Sequence, residues 1–110
     1  MKPSFKRKLD EVLGHPTIEK ELVKADGGFW KAEVVERVRL ASTGSVQATK
    51  DNQYRYSIVD INNNLEYEIK APQKIDVKFG TVLEFKNLIG GSFDNGGTWF
   101  KADSVSVVER

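Results

Sequence analysis

The amino-acid sequence predicts a mainly β protein, a five-stranded OB-like antiparallel barrel over residues 29–110 preceded by a short helical or flexible segment over residues 1–28. Two observations carry this reading. From Phe29 onward the hydrophobic period changes from helical to alternating, and the alternating runs are punctuated by Asn, Asp, Gly and Pro, with no helical stripe between them. A small antiparallel sheet must curl on itself to protect its edges and bury one face, and a barrel does both. An SH3-like barrel or a small open roll are the alternatives.

In the leader, Phe5, Leu9, Val12 and Leu13 form one stripe of a helix that Ser4 caps and Gly14-His15-Pro16 stops. Thr17 can cap a second short helix with the stripe Ile18, Leu22 and Val23, ending at Asp26-Gly27-Gly28. The first strand follows, with Trp30, Ala32, Val34, Val38 and Leu40 on one face and Lys31, Glu33, Arg37 and Arg39 on the other. Residues 42–53 are polar and read as a mobile loop. The runs Tyr54 to Ile61 and Leu65 to Ala71, joined by Asn62-Asn63-Asn64, read as a hairpin because asparagine tolerates the left-handed conformations of tight turns. Pro72 ends the third strand, Gly80 precedes a fourth over 82–88, and a glycine-rich loop with an Asp94-Asn95-Gly96 turn leads to a last strand over 99–108. The first strand is long enough to bend and serve both halves of such a barrel, and the two longest loops, between strands one and two and between strands four and five, are those that flank an OB-fold binding face.

Composition narrows the chemistry. At 110 residues and 12.4 kDa, with 39% hydrophobic residues, the chain builds one domain with a modest core. No cysteine means no disulfide, thiolate zinc site or cysteine nucleophile, and one histidine makes no histidine cage. The start lacks an apolar run of signal-peptide length and no window approaches a membrane span, so a soluble, cytoplasmic protein is expected. Seventeen basic against sixteen acidic residues exclude a polybasic coat, although Lys2, Lys6, Arg7 and Lys8 crowd the first nine positions. Nucleic-acid binding has to come from local patches.

Each potential catalytic feature has a simpler explanation. Glu66 with Glu68, and Asp10 with Glu11, lack a histidine or shielding cleft and read as solvated carboxylates. His15 sits in a turn without a second metal ligand. The glycine pairs at 90–91 and 96–97 belong to no nucleotide motif, and Asp94-Asn95-Gly96 lacks the acids of a calcium loop. No enzyme, metal or cofactor is expected.

The positive signal is aromatic and basic. Single strands are bound by aromatic rings that stack bases and cations that track phosphates. The candidate nucleic-acid-binding residues are Arg37, Arg39, Lys50, Tyr54, Arg55, Lys70, Lys86, Phe93 and Lys101. Tyr56, Tyr67, Trp30 and Trp99 are assigned to the core, whereas Tyr54 at a strand mouth and Phe93 in a glycine-rich loop are assigned to the surface.

The stretch from Tyr54 to Val108 carries a family resemblance. It contains Leu65-Glu66-Tyr67-Glu68-Ile69-Lys70-Ala71-Pro72, a lysine-rich connector, Val82-Leu83-Glu84-Phe85 leading to Asn87, and Trp99-Phe100-Lys101-Ala102-Asp103 before the last strand. This pattern resembles small cytoplasmic proteins of integrative and conjugative elements (conjugative transposons), a family that includes helicase processivity factors. Leu88 stands where that family usually has proline, and Ser104 where a second acid often follows. The resemblance implies an OB-like barrel and a non-enzymatic role in replication or transfer of mobile-element DNA, with single-stranded DNA and a helicase or other DNA-processing protein as partners. The competing expectation is a protein-interaction module without nucleic-acid contact.

Overall fold

The alternating runs form seven strands in a computed structural model, which describes residues 13–23, 27–92 and 97–108. They are β1 (Ile18–Val23), β2 (Phe29–Ala48), β3 (Tyr54–Asp60), β4 (Leu65–Ala71), β5 (Phe79–Ser92), β6 (Thr98–Lys101) and β7 (Ser104–Val107). Strands β2, β3, β4, β6 and β5 pair in that order, and β5 returns to β2, which closes the barrel. β2 is long enough, at 20 residues, to serve as neighbour to both β3 and β5.

The OB-like barrel is therefore present, with corrections. It is mixed rather than wholly antiparallel, because β4 and β6 run parallel through the Lys70–Lys101 rung. The last strand is divided at Ala102-Asp103. Ala102 N there donates to Lys70 O at 2.8 Å and Asp103 N to Lys86 O at 2.9 Å, so the break is tied to two different strands. Residues 42–48, read as a loop, continue β2 through a bulge between Ser42 and Val46. At this bulge Gly44 has φ +95, and a Cβ there would lie 3.0 Å from Phe79 N, so glycine meets both the backbone twist and the close strand approach. β5 likewise runs past both ends of the 82–88 run.

The second helix of the leader is overturned. Residues 18–23 form strand β1, antiparallel to β2 from Ile18↔Val34 to Val23↔Phe29. Six residues are too few to hold a helix alone, and the same sequence alternates Ile18, Lys20, Leu22 against Glu19, Glu21, Val23, which a neighbouring strand can pair. Gly27, with φ +89, serves a hairpin connection. The stripe residues Phe5, Leu9 and Val12 lie outside the described residues, but Leu13 is fully buried in the barrel core.

The barrel is filled by Val38, Leu40, Tyr56, Ile58, Ile69, Leu83, Phe85, Leu88, Phe100 and Val105, among others. Phe85 and Leu88 both point inward although three apart, because Asn87 adopts φ +53 and shifts the alternation by one residue. On the paired stretch of β2, Val35 and Val38 make the same step. Tyr56 and Tyr67 are core as expected, Tyr67 leaning on Phe100 at a centroid distance of 4.8 Å. Trp30 is not core. It lies in β2 beyond the barrel, on the arm that β1 and β2 form, and is 38% exposed. Trp99 is half-buried over Gly91, its cross-strand partner, where a Cβ would come 2.7 Å from the indole. Among the described residues no helix is long and apolar enough to cross a membrane.

Candidate nucleic-acid interface

The hairpin and the parallel closure bring basic side chains into one row. Gln47 on β2 faces Arg55 on β3, Arg55 faces Lys70 on β4, and Lys70 faces Lys101 on β6. Directly opposed residues share a face of the sheet, so these side chains stand side by side on the barrel's outer wall. The Thr49–Gln53 turn adds Lys50 at the end of this row. Thr49 Oγ1 accepts from Gln53 N at 3.2 Å, Thr49 N donates to Gln53 O at 2.8 Å, and Asn52 takes φ +61, which together close the turn tightly.

The result is an open groove of about 580 Å³ lined by residues 47–51 with Arg55 and Lys70. Its one acid among these is Asp51. Lys70 Nζ donates to Asp51 Oδ2 at 2.8 Å, and Thr49 Oγ1 also donates to that carboxylate. The lysine's hydrogen bond, followed by the threonine's, holds the Asp51 carboxyl down to about 2, so it is ionised throughout the physiological range. Lys50, Arg55 and Lys101 are exposed, with Lys70 half-buried beside its acid. Further along the same face, Ser57↔Glu68 and Val59↔Glu66 turn the surface acidic towards the 60–65 turn. The face is therefore polarised, cationic at the β2–β3 turn and anionic at the β3–β4 turn.

Three further candidates form a separate cluster on β2 and β5. Arg37 faces Lys86, and Arg39 faces Glu84. Glu84 is largely shielded and collects both guanidinium groups, with Arg37 Nε 3.4 Å and Arg39 Nε 3.1 Å from its carboxylate oxygens. No rung of the sheet places this cluster in the Arg55–Lys70–Lys101 row. Tyr54, assigned to the surface from sequence, is half-buried and packed against the core. Phe93 lies outside the described residues.

Asp51 and Glu84 were the acids that sequence reasoning missed. Both are distant in sequence from the cations they hold, and only strand register brings them together. Among the described residues no three His, Asp or Glu side chains converge as metal ligands. Comparison of the chain with protein-family models, with curated proteins and with solved structures finds no match.

Proposed function

We propose that the protein is a non-enzymatic accessory factor that binds single-stranded DNA weakly and without sequence preference along the groove of Lys50, Arg55 and Lys70 and the adjoining Lys101. The observation that supports this reading is the single outward row Arg55–Lys70–Lys101 on the wall that an OB barrel uses for oligonucleotides. A narrow cationic row with acids at one end suits a short stretch of flexible backbone better than a rigid duplex. The resemblance of residues 54–108 to conjugative-element proteins adds the setting, replication or transfer of mobile-element DNA beside a helicase, in the cytoplasm.

The test is fluorescence anisotropy of a labelled single-stranded oligonucleotide and of its duplex, each at low and moderate salt. Preference for the single strand with a steep loss of affinity on raising salt is the outcome this reading requires. Absence of binding at low salt removes it and leaves a protein-docking module.

A further inference from the structure

The arm that β1 makes with the first residues of β2 lies apart from the groove and leaves apolar and acidic side chains in solvent. Along it, Leu22 pairs with Trp30 and Val23 with Phe29, yet Val23 is 68%, Phe29 64% and Ile18 43% exposed. A two-stranded ribbon with large apolar groups left in water is marginal unless something covers it. β1 has β2 on one side and stands at the end of the strand order, so among the described residues its other edge is unpaired.

Charge selects the occupant. The face that carries Glu19, Glu21 and Glu33 has Lys31 as its cation, and register sets Glu19 directly opposite Glu33. Like charges so placed are unfavourable, and the Lys31–Glu19 contact of 3.8 Å between exposed groups relieves them little. Glu21 and Glu33 have no ion pair among the described residues. A nucleic acid would be repelled. A second copy is disfavoured as well, because a two-fold pairing that uses most of the β1 edge centres on Lys20 or Glu21 and sets Lys20 against Lys20, with Glu19 against Glu21, or Glu21 against Glu21.

We propose that the free edge of β1 receives an extended segment of another protein, basic at alternate positions toward Glu19, Glu21 and Glu33 and aliphatic between them alongside Ile18 and Leu22. Strand addition satisfies the edge's backbone groups, the lysines or arginines neutralise the acidic face and lay their aliphatic stems along Val23 and Phe29, which share it, and the aliphatic side chains cover Ile18 and Leu22 on the opposite face.

The experiment uses the full chain, labelled with nitrogen-15, titrated with an acetylated eight-residue peptide alternating lysine and valine and with its glutamate–valine counterpart. Amide shifts centred on residues 18–23 with the lysine peptide and none with the glutamate peptide are expected. In the E19K/E21K double variant the preference should reverse, with at least tenfold weaker binding of the lysine peptide. The proposal is overturned if the lysine peptide leaves β1 unshifted, if its shifts fall in the Lys50–Lys70 groove instead, or if a single-stranded oligonucleotide shifts β1. It is equally overturned if the protein alone sediments as a dimer with concentration-dependent β1 shifts.

Discussion

Nε2 of His15 lies 2.5 Å from Oδ2 of Asp60, joining the chain ahead of β1 to the end of β3 across 45 positions. Asp60 is only 4% exposed, and Asn63 completes its surroundings by donating Nδ2 at 2.9 Å and its backbone N at 3.4 Å. The clasp sits beside fully buried Leu13, so it fastens the entering chain where that chain plugs the barrel. Gly14 between them takes φ +72, and a Cβ there would run into the Asn63 side chain.

Removal of His15 leaves the buried Asp60 carboxylate with Asn63 alone, and removal of Asp60 takes the shared partner from both half-buried side chains. Asp60→Ala should cost about 2–3 kcal/mol and His15→Ala about 1–2 kcal/mol, read as lower urea midpoints with unchanged slopes. A double variant whose loss equals the two single losses added together would show that the contact carries no energy of its own.

The clasp also sets an acid limit. Burial pushes the Asp60 carboxyl up, but the hydrogen bonds from Asn63 and His15 outweigh it and hold it below the ordinary carboxylate range. A carboxyl lowered by folding adds stability that is complete above its unfolded value, about 3.9, and disappears as pH falls through the folded value. Thermal melts of the wild type should therefore lose stability on acidification below about pH 4 more steeply than those of Asp60→Asn.

Two core tyrosines should respond oppositely to loss of the hydroxyl. Tyr56 donates to Gln73 O at 2.5 Å and accepts from Ile75 N at 2.8 Å, tying the β4–β5 connector over the barrel end, so Tyr56→Phe should cost about 1–2 kcal/mol. The Tyr67 hydroxyl is buried without a hydrogen-bond partner among the described residues, and burial pushes its ionisation far up. Tyr67→Phe should be neutral or stabilising by up to about 1 kcal/mol in the same denaturation assay.

For the groove, Arg55→Ala and Lys101→Ala should each weaken single-strand binding roughly fivefold, about 1 kcal/mol, and flatten the salt slope by about 0.7. Asp51→Asn should act in the opposite direction, because it frees Lys70 from its carboxylate. Arg37→Ala and Arg39→Ala should matter less, since Glu84 already holds both guanidinium groups. Anisotropy titrations of these variants across a salt series separate the two clusters.

The barrel was legible where alternation was uninterrupted. Tyr56, Ile58, Leu65, Tyr67 and Ile69 follow period two, and the asparagine run between β3 and β4 takes the left-handed turn at Asn64. It was less legible where a local irregularity shifts the phase. The polar Ser42–Ala48 stretch hid a bulged continuation of β2, and Asn87 hid the inward turn of Leu88. In β1, the positions of Ile18, Leu22 and Val23 fit a helical stripe as well as a strand, and pairing with Phe29–Val34 decided between them. The site divided along the same line. The cations could be read from composition, but the grouping of Arg55 with Lys70 and Lys101, apart from Arg37, Arg39 and Lys86, is a property of register.

Closure of the barrel by β6, through the Lys70–Lys101 rung and the Ala102-to-Lys70 hydrogen bond, gives synthesis of the chain a fixed timetable. β2, β3, β4 and β5 are made first, and the strand that joins β4 to β5 leaves the ribosome after all of them. Until then Leu83, Phe85 and Ile69 line an open sheet with two bare edges. The growing chain thus exposes this apolar sheet until β6 is made, and closure waits on contacts between strands far apart in the chain.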